Sequence, residues 1–454
     1  MPHIVVVGAG IAGLAAAQAL RGGGAEVTVV EGTSRIGGKL RTSPVGGIPV
    51  DEGAEAFVLR APEGRALAEA VGLGPRLVSP VTSSASLVVR GALRPLPGRT
   101  LLGVPAEPEP IRVTFGEQAA RAVTDEPSLG GSPLTEDVAV GNLVRRRLGD
   151  EITDGLVDPL LGGVYAGRAD QLSLRATMPA VADWLAADPS LVRAALRSLD
   201  TGTSGPVFGT VRDGMGGFAQ AVLDASGARL RLGLPVREIR AEGRRFRLVA
   251  GPAPAPTAID ADGVVVAVPA AKAGSMLRDV APWACHELSR IEYASLAIIT
   301  LIYPKVALPA GSGLLVPVTE GRTVKALTFS SQKWAHLDDG RHTVVRASIG
   351  RYGEERVLHR DDPDLVAVAV REVAELTGVS AVPVASRVTR WGGGLPQYAV
   401  GHVDRVRRIR QDVAQRPGLA VCGAAYDGVG IPACVRSGWT AASAVLASLR
   451  ESGI

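Results

Sequence analysis

Three glycines near the N-terminus have the spacing of a site that binds nucleotide phosphates. Gly8, Gly10 and Gly13 form a GxGxxG pattern between a β-branched apolar run and an alanine-rich segment. In such a setting the first glycine permits a tight turn and the second lets the backbone approach a pyrophosphate, while the third lets the helix pack closely on the strand. The free amides of a helix N-terminus stabilise the phosphates. The pattern therefore predicts a dinucleotide site.

An acidic residue and two further segments indicate which dinucleotide binds. Glu31 ends the next apolar run, where a carboxylate can accept hydrogen bonds from an unphosphorylated ribose, so FAD or NAD is favoured over NADP. Residues 35–42 read RIGGKLRT and residues 51–55 read DEGAE. Both segments resemble those of GR2-type flavoproteins, which implies FAD. A protein of the same fold without a cofactor, such as a GDP-dissociation inhibitor, is the alternative.

Other residue types that can do chemistry have less informative settings. His402 and Tyr398 could act as acid or base groups, but a structural role in the loop after Trp391 is the favoured interpretation. The three cysteines are too few and too widely spaced for a disulfide framework or a metal site. The remaining histidines lack metal-ligand spacing, so no metal is predicted.

The elements that must position the glycine motif begin at the N-terminus. Residues 3–8 and 26–31 are predicted strands with a helix from residue 13 to 20 between them, which starts a doubly wound sheet. A helix over 62–71 and a hairpin over 85–96, turning at Arg90 and Gly91, follow. Residues 103–136 are rich in Pro, Glu and Gly and are predicted to interrupt regular structure. Helical spacing from 138 to 199 predicts a helical lobe.

The second half of the chain is predicted to complete two sheets. Residues 228–268 are expected to form a meander of short strands whose last run, 263–268, rejoins the main sheet. Longer strands are predicted at 296–303, 323–330 and 343–349, with helices at 364–377 and 432–449. The fold class is α/β, with a GR2-type FAD-binding Rossmann-like domain interleaved with an α+β substrate domain and the helical lobe. The predicted division is 1–80, 205–270 and 391–454 for the FAD-binding domain, 81–105 and 271–390 for the substrate domain, and 106–204 for the helical lobe.

Composition excludes several classes of protein. The net charge of +4 comes from scattered arginines, without the basic and aromatic runs of a nucleic-acid-binding protein. Hydrophobic residues make up 46% of the chain, yet no apolar run reaches the roughly 18–20 residues of a membrane span. No export signal is evident, so a soluble cytoplasmic protein is expected.

Three further segments indicate a family. Residues 158–179 read DPLLGGVYAGRADQLSLRATMP, residues 391–402 read WGGGLPQYAVGH, and residues 419–439 read LAVCGAAYDGVGIPACVRSGW. With the N-terminal motif, they resemble the protoporphyrinogen and coproporphyrinogen oxidases of haem biosynthesis, through essentially the whole chain. The resemblance implies oxidation of a porphyrinogen by three successive two-electron steps, with hydride transfer to flavin N5. Molecular oxygen would reoxidise the flavin and give hydrogen peroxide.

The choice of substrate depends on a finer resemblance. The chain is most like the soluble enzymes of Gram-positive bacteria, which implies coproporphyrinogen III, with protoporphyrinogen IX as the alternative. An amine oxidase, a desaturase or a binding protein without catalysis is also left open. Contact with ferrochelatase is a further implication. FAD is expected to be noncovalent, because Cys422 ends a predicted strand.

The resemblance also assigns site residues. No catalytic acid or base is assigned, and Pro432 and Ala433 depart from the family pattern. The segment 104–133 fits the family poorly, so the substrate entrance is expected to be unusual. The substrate residues implied are Arg99 as a propionate anchor, with Gly163 and Tyr165 lining the slot. The FAD-binding residues implied are Gly8, Ala9, Gly10, Ile11, Ala12, Gly13, Glu31, Gly32, Gly38, Lys39, Gly53, Ala54, Glu55, Ala56, Val236, Trp391, Val429, Gly430 and Ile431.

Overall fold

A computed structural model describes residues 1–200 and 205–451 of the chain. Its strands, numbered in chain order, are β1 (His3–Val7), β2 (Glu26–Val30), β3 (Thr42–Val45), β4 (Ile48–Asp51), β5 (Phe57–Val58), β6 (Leu77–Val78), β7 (Ser86–Val89), β8 (Ala92–Pro95), β9 (Thr100–Leu101), β10 (Val104–Pro105), β11 (Phe208–Val211), β12 (Arg229–Arg231), β13 (Val236–Glu242), β14 (Arg245–Ala250), β15 (Thr257–Ala261), β16 (Gly263–Val266), β17 (Tyr293–Pro304), β18 (Gly313–Leu315), β19 (Val324–Phe329), β20 (His342–Ile349), β21 (Ala385–Pro396) and β22 (Leu419–Val421).

The helices follow the same numbering. They are α1 (Ile11–Gly22), α2 (Pro62–Ala70), α3 (Pro108–Phe115), α4 (Glu117–Asp125), α5 (Val140–Leu148), α6 (Asp150–Ile152), α7 (Asp158–Tyr165), α8 (Leu174–Thr177), α9 (Pro179–Leu185), α10 (Leu191–Asp200), α11 (Met215–Ser226), α12 (Ala270–Leu277), α13 (Pro282–Ser289), α14 (Ser330–Lys333), α15 (Asp362–Thr377), α16 (His402–Val413) and α17 (Ile431–Glu451). A π-helical turn, Thr153–Val157, joins α6 to α7.

The dinucleotide motif lies at the edge of a parallel sheet of strand order β12-β2-β1-β16-β22. Successive side chains of a strand point to opposite faces, so β1 contributes to two cores. Ile4 and Val6 pack against α1, α11 and α17, whereas Val5 and Val7 pack against the antiparallel sheet β13-β14-β15 and helices α12, α13 and α16. Since β1 lies between β2 and β16, its C-terminal end is the switch point at which open α/β sheets bind ligands.

The strands over residues 228–268 differ in part from the predicted meander. Strand β12 is an edge of the main sheet, parallel to β2, instead of the first strand of the meander. Its place in the meander is taken by β15, which pairs with β14. Residues 263–266 do rejoin the main sheet, as β16 beside β1. The difference arises because short apolar runs give no information on which neighbour a strand will pair with.

The second large sheet has the strand order β21-β17-β20-β19-β18-β7-β8. One face, which includes Ile299, Leu301 and Val345, is covered by α15. The predicted hairpin over 85–96 is confirmed as β7 and β8, with positive φ at Arg90 and Gly91. Strand β21 runs to Pro396 because it pairs along β17, so residues 391–396 are not the loop that the sequence suggested. The predicted domain boundary at 390/391 lies within this strand.

The helical lobe has a core formed by helices α3 to α10. Residues 103–136 were predicted to interrupt regular structure, yet they contain α3 and α4, so this expectation is wrong. Pro108 occupies the first turn of α3, where a missing N–H has no helical partner to lose. Among the described residues, no helix combines the length and the apolar character that crossing a bilayer requires.

Candidate active site

Two of the three motif glycines are required by the packing of α1 on the sheet. Gly8 has φ of +108°, and a Cβ there would lie 2.5 Å from the carbonyl oxygen of Ala267. A Cβ at Gly13 would lie 2.0 Å from the carbonyl oxygen of Gly8. The turn between β1 and α1 can therefore form only with glycine at both positions.

Gly10 differs, because the space beside it is open. No heavy atom of the described residues lies within 4 Å of a Cβ built at Gly10. Gly10 precedes the first residue of α1. The backbone at Gly38 passes close to it, because a Cβ built at Gly38 would lie 3.3 Å from the Cα of Gly10. This open space at a helix N-terminus fits a pyrophosphate, which the free amides of the first turn would bind.

Glu31 is held in place at the end of β2. Its two carboxylate oxygens accept hydrogen bonds from the amides of Ala9, at 2.9 Å, and Thr33, at 2.8 Å. A carboxylate oxygen has a further lone pair, so each can still accept a ribose hydroxyl. The neighbouring Gly32 is exposed and packs on Pro235, and Val236 is buried at the start of β13. The structure brings these three predicted residues to the same end of the sheet.

Lys39, Gly53 and Trp391 converge although they are distant in sequence. A Cβ at Gly53 would lie 2.1 Å from the Lys39 carbonyl oxygen and 2.9 Å from Cζ2 of Trp391. The Trp391 indole donates a hydrogen bond to the Glu52 carbonyl at 2.9 Å, which fixes the ring against the 51–55 segment. Burial lowers the pKa of the Lys39 ammonium. These contacts place the residues expected at the flavin side by side.

The 53–56 segment is anchored to the second sheet by a buried ion-pair cluster. Glu55 bonds Nζ of Lys333 at 2.5 Å and also pairs with Arg346, whose guanidinium donates to the Gly53 carbonyl at 2.7 Å. Burial by itself would raise the pKa of the Glu55 carboxyl, but the charges of Lys333 and Arg346 outweigh it and lower the pKa to about 2. The carboxylate is thus ionised at neutral pH and stabilises this side of the site.

The loop before α17 forms the other side of the expected flavin site. Val429 and Gly430 lead directly into Ile431, the first residue of α17. The hydroxyl of Tyr398 donates to the Ala424 carbonyl at 2.6 Å and accepts from the Gly428 amide at 2.8 Å, so it ties both ends of the loop. A helix N-terminus aimed at a flavin would stabilise negative charge on the reduced ring.

The packing of Tyr398 and His402 supports the structural role expected for them. The rings of Tyr398 and His402 stack with centroids 4.0 Å apart, and the ring of Tyr165 packs against Tyr398 in a tilted arrangement with centroids 5.5 Å apart. Burial lowers the pKa of His402 to about 4 and raises that of Tyr398. Neither group exchanges protons near neutral pH, so the column of rings supports the loop instead of acting as an acid or base.

A face of the second sheet that the sequence reading missed lies opposite the α15 side. Ile298, Ser348, Ala326 and Leu315 lie directly across from one another on β17, β20, β19 and β18, and all are only half-buried. In the structure, β17 mixes buried and half-buried positions from residue 293 to 299, so this part of the strand is covered on one face only. The row is a mostly apolar surface that α7 approaches at its β18 and β19 end.

The predicted substrate residues have different surroundings. Gly163 is exposed at the end of α7, with Leu315 as the nearest side chain, 3.9 Å from a Cβ built at the glycine. Tyr165 is 6% exposed, because its ring packs on Tyr398. Arg99 already forms ion pairs with Glu107 at 2.9 Å and Asp200 at 3.3 Å on the surface of the helical lobe. The structure brings Gly163 to the sheet face, whereas Arg99 would have to leave its carboxylates to bind a substrate.

The cysteines have settings that disfavour reaction. Cys422 is fully buried in the core around α1 and α17, and burial raises its pKa. Burial also raises the pKa of Cys434 to about 11. Thiols that stay protonated are poor nucleophiles. In the ranges 1–200 and 205–451, no cluster of His, Cys, Asp and Glu is placed to hold a metal ion.

The chain is similar to known proteins over nearly its whole length. The family model described as flavin containing amine oxidoreductase matches residues 11–446. A coproporphyrinogen III oxidase from Mycobacterium tuberculosis is 37% identical, with 98% of this chain and 97% of the relative covered. One from Bacillus subtilis is 29% identical, with 98% of each covered.

A solved structure agrees with these matches. The crystal structure of a putative protoporphyrinogen oxidase from Exiguobacterium superposes with a TM-score of 0.86 at 32% identity, covering 98% of this chain and 99% of that chain. The predicted fold class and the predicted flavin cofactor are thereby confirmed. With the open glycine cradle and the convergence of Lys39, Gly53 and Trp391, these matches show that the chain belongs to the flavin-containing amine oxidoreductase family.

Proposed function

We propose that this protein oxidises coproporphyrinogen III to coproporphyrin III in haem biosynthesis. The observation that carries the proposal is the similarity to proteins of that name over 98% of the chain. The similarity spans the dinucleotide cradle, the helical lobe and the C-terminal loop together, so it covers the parts that shape both cofactor and substrate sites.

FAD is proposed to lie along the residues that the sequence assigned to it. The cradle of residues 8–13 would bind the pyrophosphate and Glu31 the ribose, with Gly32 and Val236 beside the adenosine. Gly38, Lys39, the 53–56 segment, Trp391 and the 429–431 loop would surround the flavin. When bound, FAD supplies the two-electron acceptor for each oxidation. Noncovalent binding is supported by the burial and raised pKa of Cys422.

The chain's own contribution is placement of the substrate. The row from Ile298 to Leu315 and the exposed Gly163 would form an apolar wall for the flat macrocycle. Such a wall would exclude water and would hold the reacting carbon at a fixed distance from the cofactor. The wall would act by orienting the substrate, and orientation would carry most of the acceleration.

Several finer features belong to the same proposal. Molecular oxygen would take the electrons and give hydrogen peroxide, and the product would pass to ferrochelatase. The location would be the cytoplasm. We also propose the interleaved division into FAD-binding, substrate and helical parts with the boundaries predicted from the sequence. Strand β21 then belongs to both the substrate and the FAD-binding parts, because it runs through the boundary at residue 391.

The test uses the purified FAD-loaded protein and chemically reduced coproporphyrinogen III. We expect a yellow protein that produces fluorescent coproporphyrin III under air, with three equivalents of hydrogen peroxide for each porphyrin formed. Removal of oxygen should stop turnover beyond the first equivalents of flavin. A colourless protein, or a yellow protein without porphyrin production, contradicts the proposal.

Protoporphyrinogen IX is the second candidate substrate. It is supported by the similarity to the putative protoporphyrinogen oxidase from Exiguobacterium. The ratio of kcat/KM for the two porphyrinogens decides between them, and a higher value for protoporphyrinogen IX would reverse our assignment. Turnover of an alkylamine or of a carotenoid precursor instead would indicate an amine oxidase or a desaturase.

A further inference from the structure

Lys325 is a buried cation at the junction of the second sheet and the helical lobe. It lies on β19 next to Ala326, and the residue is 7% exposed. Its ammonium contacts the Gly162 carbonyl oxygen at the end of α7, at 3.5 Å. Gly162 is adjacent to the exposed Gly163, so the ammonium lies beside the predicted substrate slot.

The charge of Lys325 has no matching carboxylate. Within residues 1–200 and 205–451, no Asp or Glu forms an ion pair with its ammonium. A second buried cation, Arg351, lies close enough for its charge to lower the pKa of Lys325 further. An unpaired ammonium taken out of water is costly, and evolution seldom keeps one without a ligand or a partner.

The other charged groups around this pair are already engaged. Arg351 donates to the Val316 carbonyl at 3.0 Å and is 3.7 Å from Glu354, which also binds Arg168. Asp158 accepts a hydrogen bond from the Ala169 amide at 2.8 Å. Glu372 accepts from the amides of residues 323 and 324. These charges balance in number, but among the described residues none of the three carboxylates forms an ion pair with Lys325, whose ammonium contacts the Gly162 carbonyl instead.

We propose that Lys325, with Arg351 behind it, binds a carboxylate of the substrate at the end of the slot between β19 and α7. The inference deepens the proposed function and rests on it, because coproporphyrinogen III has four propionate side chains. A carboxylate would satisfy the ammonium through a charge-assisted hydrogen bond, which is stronger than its long contact with Gly162. It also replaces Arg99 as the anchor, since Arg99 is paired with Glu107 and Asp200.

The first experiment compares Lys325→Met with Lys305→Met in the FAD-loaded enzyme. Lys305 is an exposed lysine paired with Asp338, and its loss should leave the kinetics unchanged. For Lys325→Met we expect the KM for coproporphyrinogen III to rise about tenfold, with kcat changed less than about twofold. The reason is that the lost interaction binds the substrate equally well before and in the transition state. Lys325→Arg keeps the charge and should restore most of the affinity.

A pH profile separates binding from a structural role. The pKa of Lys325 is lowered by burial, and further by Arg351, to about 7, so the free enzyme loses this charge above that pH. The wild-type kcat/KM should then fall above about pH 7, whereas that of Lys325→Arg should stay level. A lysine that only supports α7 would give the same profile in both proteins, and that result overturns the inference.

Equilibrium binding keeps the test independent of turnover. The probes are coproporphyrin III and its tetramethyl ester, titrated into the FAD-loaded protein while flavin fluorescence is followed. We expect the wild type to prefer the free acid and Lys325→Met to lose that preference. Equal dissociation constants for wild type and Lys325→Met overturn the carboxylate site, even if the enzyme oxidises the porphyrinogen. Loss of turnover with the preference intact overturns only the proposed function.

Discussion

At the scale of single residues, substitutions of Gly10 and Gly13 should have different effects although both glycines belong to one motif: one should impair FAD binding and the other folding. A Cβ at Gly13 would overlap the Gly8 carbonyl oxygen, whereas a Cβ at Gly10 meets no atom of the described residues within 4 Å. Gly13→Ala should therefore lower the yield of folded protein, as overpacking costs about 1–3 kcal/mol or more. Gly10→Ala should fold normally and bind FAD at least about tenfold more weakly, because its methyl occupies the space for the pyrophosphate.

The two variants are measured by circular dichroism of the apoprotein and by FAD titration. Gly22→Ala in α1 is the matched control, since its Cβ also meets no atom within 4 Å in the part of the chain that the structure describes and lies at the far end of the helix. FAD affinity of Gly10→Ala equal to that of the control would show that the open space is not the phosphate site.

Glu55 allows a prediction about the buried ion pairs. Removing its charge leaves the half-buried Lys333 and the buried Arg346 without their carboxylate partner, and breaking such a pair costs about 3–5 kcal/mol. Glu55→Gln should lower the melting temperature accordingly in the FAD-loaded protein. The lowered pKa of Glu55 means that its stabilisation is present above the ordinary carboxyl pKa and is lost as the pH falls towards 2. The difference in melting temperature between the wild type and Glu55→Gln should therefore become smaller below about pH 4.

Glu238 provides the comparison for Glu55. Its pair with Arg240 is open to solvent, where water and salt screen the attraction and an ion pair contributes little to stability. Glu238→Gln should leave the melting temperature nearly unchanged. If Glu55→Gln changed the melting temperature as little as Glu238→Gln, the ion-pair cluster would not anchor the 53–56 segment.

At the scale of elements, the loop between β22 and α17 depends on one hydroxyl. Tyr398→Phe leaves the Gly428 amide without its partner and releases the Ala424 carbonyl. An unpaired buried polar group costs about 1–3 kcal/mol, so the loop should loosen and FAD affinity should fall by about tenfold. Stopped-flow release of FAD, followed by the recovery of its fluorescence, measures this directly.

Tyr303 is the matched control for Tyr398. Its ring is buried in the second sheet, and among the described residues its hydroxyl has no hydrogen-bond partner. Tyr303→Phe should be neutral or slightly stabilising and should not change FAD release. Equal effects of the two substitutions would contradict the role given to the Tyr398 hydroxyl.

At the scale of the whole molecule, the cofactor site joins segments from both ends of the chain. Lys39, Gly53 and Trp391 meet across two sheets, and the charge of Lys39 acts on Cys434 in the first turn of α17. FAD should therefore stabilise the complete fold. A ligand at 100 times its dissociation constant adds about 2.7 kcal/mol. We expect thermal melts of the apoprotein to rise by several degrees with FAD and to stay unchanged with NAD. An equal rise with NAD would overturn the choice of dinucleotide.

Two expectations drawn from the sequence, for residues 103–136 and 391–396, were wrong for identifiable physical reasons. Prolines suggested an interruption at residues 103–136, but a proline in the first turn of a helix costs no hydrogen bond, and α3 and α4 form there. Residues 391–396 looked like a loop because three glycines follow Trp391. They form a strand because β17 offers a long partner, and no local pattern contains that information.

The sequence by itself determined the cofactor class, the β-α-β cradle and the family, because these depend on glycines and acids at fixed local spacing. It also placed the strands and helices that bear the site closely enough to identify them. Only the tertiary structure decided which residues meet. It showed that Arg99 is already ion-paired and that Tyr165 packs on another aromatic ring. It also showed that Lys325 contacts the Gly162 carbonyl and has no carboxylate partner among the described residues. Counter-ions and burial are set by contacts between residues far apart in the chain, and spacing along the chain cannot specify them.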